Sequence, residues 1–449
     1  MKKRLILTGC ILIAAGILAS CGWSWERPLD LLREAVGITE PESGQEDVPE
    51  EAPAETPAAA APEAEDPGPE EGPGVKDGLF SFFDPSADES YQDVLPEGES
   101  LFRNEAVYYY YYGILSTEEQ QVYDALIDIT RDPTVDTYRK GVTVSVDPSG
   151  MQFSQWLSRA YQAMIFDHPE LFWFRQDGGN FRYYYPSRPD RDGQYRVMFR
   201  LSGTYDAYEE EMTAFNAAAE AFLADIDRTQ PAPVLALEIH DKLLDMVTYD
   251  TGLADVFLGD DQSYDYGYSA YGALVQNSRG VPHTAVCDGY SYAYEYLLQQ
   301  VGVEVTRVGG NAGDTEAELM PHSWNLVRLD GEWYEVDPTW DDQEIDFDTS
   351  DPANQLLTEA VNDPVYWGRI RHHLFLLTTG EMRSFVPDDL YVYYTDHGYA
   401  TFLGTSVHLR EAAGGAPDPL DLLSCYAPVA EGTLYHYDPW TQGIIVSAE

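Results

Sequence analysis

The sequence predicts an α+β protein, and three observations carry that expectation. Tyr294, Leu297 and Leu298 follow Cys287 at helical spacing after a short apolar entry. Two alternating runs, His322 to Leu329 and Trp333 to Val336, flank Asp330-Gly331, a strong signal for a two-residue hairpin turn. Upstream, amphipathic helical stretches dominate, and downstream Leu390-Tyr391-Val392-Tyr393-Tyr394 alternates as a strand does. The expected division is a signal at 1–21, a Pro/Glu/Ala-rich tether at 22–79 and a helix-rich N-terminal region at 80–234. A central domain at 235–385 and a small β-rich C-terminal appendage at 386–449 complete it.

The 449 residues are 44% hydrophobic and 13% aromatic, ample for a real core. Net charge is −52, and residues 1–78 do not cause it: they hold 16 acids and 6 bases, leaving −42 on the remainder. Such a field repels phosphate backbones, which argues against a nucleic-acid partner. It repels anionic membrane surfaces too, so membrane attachment has to be covalent or inserted.

At the N-terminus, Lys2, Lys3 and Arg4 precede a 14-residue apolar run, Leu5 to Leu18. That run is short for a membrane span, which needs about 20 residues, and reads as an export signal. Its end, Leu18-Ala19-Ser20-Cys21-Gly22, resembles the bacterial lipoprotein signal. The resemblance implies cleavage before Cys21 and a lipid on that cysteine, facing outside the cytoplasm. Residues 40–78 hold eight prolines among Glu, Ala and Gly, too little apolar surface to order themselves.

Order is expected to resume near Phe80. The tyrosines from Tyr108 to Tyr112 suggest a packed strand. Ser116-Thr117-Glu118-Glu119 is a capping-box pattern opening a helix with Val122, Leu126 and Ile129 on one face. A second helix carries Trp156, Leu157, Tyr161 and Ile165 and ends before His168-Pro169. A strand at Gln194 to Leu201 and helices at about 205–226 and 231–247 follow from the same periodicities.

The chemistry concentrates around Cys287. A helix starting there places the thiol in its first turn, where the partial positive charge of the helix end favours the thiolate. Asp288 at the same end suits the helix dipole but competes slightly with a thiolate. A lone cysteine is as readily a small buried hydrophobe; His322 and Asp337 change that balance. With a two-residue turn, Leu329 faces Glu332 and Trp324 faces Asp337. Side chains alternate, so His322 shares the face of Trp324 and Asp337, within hydrogen-bonding reach. The carboxylate can then orient the imidazole, which can take the thiol proton and later protonate a leaving amine.

Three motifs in this order, Cys287-Asp-Gly-Tyr-Ser, His322-Ser-Trp-Asn and Asp337-Pro-Thr-Trp, resemble the transglutaminase-like superfamily of papain-like thiol enzymes. Ser269-Ala270-Tyr271-Gly272-Ala273-Leu274 and Gly309-Gly310 extend the likeness, which covers residues 240–345. It implies a papain-like core with the Cys-bearing helix packed on an antiparallel sheet that supplies His and Asp. It implies Cys287 as nucleophile, His322 as general base and acid, and Asp337 as the orienting carboxylate, with no cofactor. The oxyanion needs a donor beyond the Cys287 amide, and Tyr271 or Gln276 could supply it. The expected activity is that of a peptidase or amidase, or of a cross-linking transglutaminase, on a protein or peptide at the cell surface. The alternative is a catalytically silent binding or scaffold module. A Cys287–Cys425 disulfide, a third possibility, would silence the thiol.

Other signals carry less. His283 lies four residues before Cys287, ahead of the helix and poorly placed as a base. His372 and His373 are adjacent and so cannot chelate from one face, and no CxxC or HExxH spacing exists, so no metal is expected. The acidic run Asp341, Asp342, Glu344, Asp346, Asp348 and Asp351 fails the EF-hand template, with Asp351 in place of Gly and Leu357 in place of Glu. A solvated loop is the expectation there. Trp324, Trp333 and Trp340 line either a cleft or the core.

Overall fold

The computed structural model describes residues 107–447, apart from 131–132, 135–139, 177–180, 202, 257–263, 343–349, 353–354, 387–391, 396–397, 402–404 and 411–425. The signal, the tether, Cys21, Cys425 and the middle of the acidic run lie outside the described residues. Among the described residues, no helix is long and apolar enough to cross a membrane.

The N-terminal region is built from α1 (Thr117–Ile129), β1 (Lys140–Val144), α2 (Met151–Asp167), β2 (Phe181–Tyr184), β3 (Tyr195–Leu201) and α3 (Tyr208–Leu223). Ser116 caps α1 through a reciprocal box: its hydroxyl accepts the Glu119 amide, and the Glu119 carboxylate accepts the Ser116 amide. The three strands form an antiparallel sheet in the order β1-β3-β2, so this region is less purely helical than its periodicity suggests.

The tyrosine run departs from expectation as well, because Tyr110–Ile114 is a short helix rather than a strand. Its first amides find an acceptor far away in sequence. The Asp167 carboxylate accepts from the Tyr111 and Tyr112 amides at 3.0 and 2.8 Å and from the Tyr123 hydroxyl at 3.1 Å. Such an acceptor satisfies the orphan donors of a helix start. Burial raises the Asp167 carboxyl to about 7, against the downward pull of His168 and these donors.

Downstream lie α4 (Ala232–Met246), α5 (Cys287–Gln300), β4 (Glu304–Gly313), β5 (Met320–Leu329), β6 (Glu332–Val336), α6 (Pro338–Asp341) and α7 (Pro364–Arg371). They are followed by β7 (Phe375–Leu377), β8 (Val407–Leu409), β9 (Tyr435–Asp438) and β10 (Gly443–Val446). The principal sheet is antiparallel with the order β8-β4-β5-β6-β7. Its two faces differ because side chains alternate along β5. The odd-numbered face carries α5: Asn325 Nδ2 donates to the Ser291 carbonyl at 2.9 Å, and the Ser291 and Ser323 hydroxyls meet at 3.0 Å. The even-numbered face carries Trp324 and Leu326, which pack with Val308, Leu374, Met382 and Ala430.

The principal hydrophobic core runs without a break from Tyr111 to Leu376, so both sides of the expected 234/235 division share it. The C-terminal segment makes contact with the central sheet. β8 pairs with the edge of β4, Val407 opposite Gly313 and Leu409 opposite Asn311. The Leu434 amide donates to the Tyr334 hydroxyl at 3.1 Å. Residues 407–409 therefore complete the sheet, and Leu434 reaches Tyr334 on β6. A three-residue strand is too short to display alternation, which hides this from the sequence.

Candidate active site

Cys287 is the first residue of α5, reached through extended Val286 and a parallel bridge of Thr284-Ala285 with Thr248-Tyr249. It is 3% exposed and free of any disulfide among the described residues. Asp288 pairs with the Arg307 guanidinium and accepts from the Ser323 hydroxyl at 2.8 Å. Arg307 also lies over the rings of Phe166 and Tyr292, at 4.2 and 3.9 Å. The charge of Asp288 is thus compensated locally, which removes the competition with a thiolate expected from sequence.

The hairpin supplies the next residues. Asp330 and Gly331 both have positive φ, +49° and +91°, the backbone of a two-residue type I′ turn. Leu329 pairs with Glu332 and Asn325 with Val336, so the register carries Trp324 to a position opposite Asp337. His322 Nε2 lies 2.7 Å from Asp337 Oδ2, and the Cys287 thiol stands close enough to the ring to raise its pKa. The other carboxylate oxygen is fixed by local structure: Asp337 Oδ1 accepts the Thr339 and Trp340 amides at 3.0 and 3.2 Å, capping α6 behind Pro338.

Electrostatics follow from burial and neighbours. Burial pulls the His322 ring down, but the Asp337 carboxylate and the Cys287 thiol outweigh it and raise the ring to about 10. For Asp337 burial pushes up, while His322 and then His408 hold the carboxyl well below the usual range. The pair therefore favours an imidazolium beside a carboxylate at neutral pH.

Sequence reasoning missed His408. From β8, its Nε2 reaches Asp337 Oδ2 at 3.0 Å. Burial, aided by the His322 charge, lowers its pKa against the pull of Asp337, so it stays neutral. A neutral ring donating from Nε2 has a bare Nδ1, and His408 Nδ1 is buried without a hydrogen-bond partner. Gly310, opposite His322 on β4, lets this strand approach: a Cβ there would stand 2.5 Å from the Leu409 carbonyl and 2.6 Å from the Trp324 ring. No motif marks His408, and its contact with Asp337 spans 71 positions.

Other expected participants lie elsewhere. Tyr271 packs among Phe172 and Tyr266, with ring centroids 4.6 and 4.7 Å away, and Glu211 and Glu210 lie beside it. The short helix Ala270–Leu274 turns it toward α3. Gln276 is exposed and bridges to Pro282. Among the described residues no hydrogen bond joins either side chain to Cys287, His322 or Asp337. His283 is engaged by its own backbone region, Nδ1 lying 3.2 Å from the Ala273 carbonyl. Trp324 is wholly buried and donates to Glu335, whereas Trp340 stands 5.7 Å from His322. Asp341 departs from the solvated loop expected: it is wholly buried and paired with His373 and His240. Asp342 accepts from the Tyr290 hydroxyl at 2.6 Å.

No family model matches the chain. Kyphoscoliosis peptidase from Mus musculus and from Homo sapiens each match at 34% identity over 71 residues. The match covers 14% of this chain and spans only 11% of the relatives' length. Among solved structures, a TGase crystal structure aligns at TM-score 0.25 and 14% identity, covering 49% of this chain and 56% of that one. The periplasmic domain of TgpA from Pseudomonas aeruginosa, bound to ethylmercury, aligns at TM-score 0.17 and 18% identity, covering 33% and 55%.

Proposed function

We propose that the chain is an exported, lipid-anchored thiol enzyme that acts on amide bonds through Cys287, His322 and Asp337. The observation that supports this best is the buried connection from the Asp337 carboxylate through the His322 ring to the Cys287 thiol. In this reading Asp337 Oδ2 fixes the ring, and the imidazolium it favours pairs with a thiolate. The sulfur attacks an amide carbonyl. The developing oxyanion meets the amides at the start of α5, whose partial positive charge lies there. His322 then hands its proton to the leaving amine, and a thioester remains on Cys287. Water deprotonated by His322 releases a carboxylic acid; a primary amine in its place forms a new amide. The peptidase name of the relatives with the short match agrees with the hydrolytic branch. The substrate is a protein or peptide at the cell surface, with a lipid on Cys21 and residues 22–79 as tether.

One observation favours a second reading. Cys287 is 3% exposed, closed in this conformation to a macromolecule, as in a binding module that keeps the fold without turnover. Incubating the full chain with a protein mixture, with and without a primary amine, separates the two. Amine release and an acyl adduct on Cys287, read by mass spectrometry, are expected. Cys287→Ala abolishes both, and His322→Ala slows release by roughly 10²–10⁴-fold. Absence of the adduct, with partner binding unchanged in Cys287→Ala, leaves only the binding module.

A further inference from the structure

A second His/Asp cluster lies beyond the thiol site, where α4 meets the C-terminal end of α7. His240 Nδ1 and His372 Nε2 both face Asp241 Oδ1, at 3.1 and 2.6 Å, and the three atoms lie within 4.8 Å of one another. The outer nitrogen of each ring is already committed. His240 Nε2 lies 3.2 Å from Asp341 Oδ2, and His372 Nδ1 lies 2.7 Å from the Gly368 carbonyl. Each inner nitrogen faces the same carboxylate oxygen. Two ring nitrogens and one carboxylate oxygen thus converge on one point, the donor set of a bound cation.

The outer contacts are those that metal-bound histidines make, a carboxylate or a backbone carbonyl fixing the tautomer. Asp341 is itself held by His373 Nδ1 at 2.8 Å and by the Leu374 amide at 2.9 Å. The His372 ring stacks on Tyr437 with centroids 3.8 Å apart and planes 13° from parallel. Both rings are buried, whereas the Asp241 side chain is 42% exposed, so a remaining coordination position faces water.

We infer that His240, Asp241 and His372 form a binding site for Zn²⁺. Two imidazoles and one carboxylate suit zinc rather than magnesium or calcium, which prefer all-oxygen sets. Tetrahedral zinc, with bonds of 2.0–2.1 Å, spaces its ligand atoms about 3.3 Å apart, so the two ring nitrogens, 3.1 and 2.6 Å from Asp241 Oδ1, move outward by a few tenths of an ångström to admit it. The ion clamps α4 to the end of α7 and, through Tyr437, to β9. Adjacent His372 and His373 do not chelate together: His372 ligates, and His373 steadies Asp341 behind His240.

The test uses the purified full chain, equilibrated with Zn²⁺ and freed of unbound metal. Elemental analysis is expected to find one zinc per chain, with a higher Tm than after chelation. Asp241→Asn, which keeps the side-chain shape, and His372→Gln are expected to lose the zinc and the Tm response. His322→Ala, in the thiol site, is expected to retain both. Co²⁺ in place of zinc should give visible bands of a tetrahedral site that Asp241→Asn abolishes. The inference is overturned if the unaltered chain retains no zinc, if both Asp241→Asn and His372→Gln still hold it, or if His322→Ala alone loses it.

Discussion

The two oxygens of the Asp337 carboxylate have separate tasks. Oδ1 caps α6, and Oδ2 receives both His322 and His408. Capping fixes the position of the carboxylate, and the two rings fix its rotation, so the His322 ring approaches Cys287 with little freedom left. His408→Ala removes one donor from a wholly buried charge and leaves space beside Trp324 and Trp340. The loss of one partner from a buried charged acceptor costs about 1–3 kcal/mol. Urea unfolding is expected to show a loss of that order. Cys287 reactivity should fall only modestly, because His322 still holds the carboxylate. A His408→Ala chain as inactive as Asp337→Ala would instead place the ring in the chemistry itself.

At the scale of elements, the hairpin carries the geometry. Gly331 sits at φ +91°, a backbone that L side chains adopt only with strain. Gly331→Val is expected to cost about 1–2 kcal/mol, measured by thermal or urea unfolding, and unchanged stability would contradict the turn assigned here. This turn is legible in the sequence because register within a two-residue hairpin is a local property: Asp330-Gly331 alone sets which residue faces Asp337. The Cys287 helix start and the Ser116 capping box are legible for the same reason. The features that escaped depend on distant partners. The Tyr110–Ile114 helix needs Asp167, 55 positions beyond the Tyr112 amide it binds. His408 needs the sheet to close on β8, and Asp341 needs His240 and His373 to bury it. No pattern of hydrophobicity records such encounters.

Across the whole molecule, the net charge of −52 accompanies a few buried titratable groups whose shifts give stability a definite pH window. Asp337 titrates below the ordinary carboxylate value of about 3.9, so its contribution is complete above that pH and is lost as pH falls through the folded value. His322 works the other way. Its folded value is about 10 against roughly 6.5 unfolded, so its contribution is complete below 6.5 and fades as pH rises toward 10. Asp167, raised to about 7, adds a penalty that develops from about 3.9 to 7 as the unfolded chain releases a proton the folded chain retains. Together these groups place the stability maximum between about pH 4 and 6.5. Urea titrations across pH 3–10 are expected to show it there; a maximum above pH 8 would contradict these assignments.

The central claim is that Cys287 and His322 form a thiolate–imidazolium pair sustained by Asp337. The direct measurement is the rate of iodoacetamide labelling at Cys287 from pH 5 to 9, read by peptide mass spectrometry against the unfolded chain. Rapid labelling already at pH 6, slowed by His322→Ala and by Asp337→Asn, is the predicted result. Labelling that rises only near the ordinary thiol value of about 8.5, indifferent to both substitutions, would contradict it.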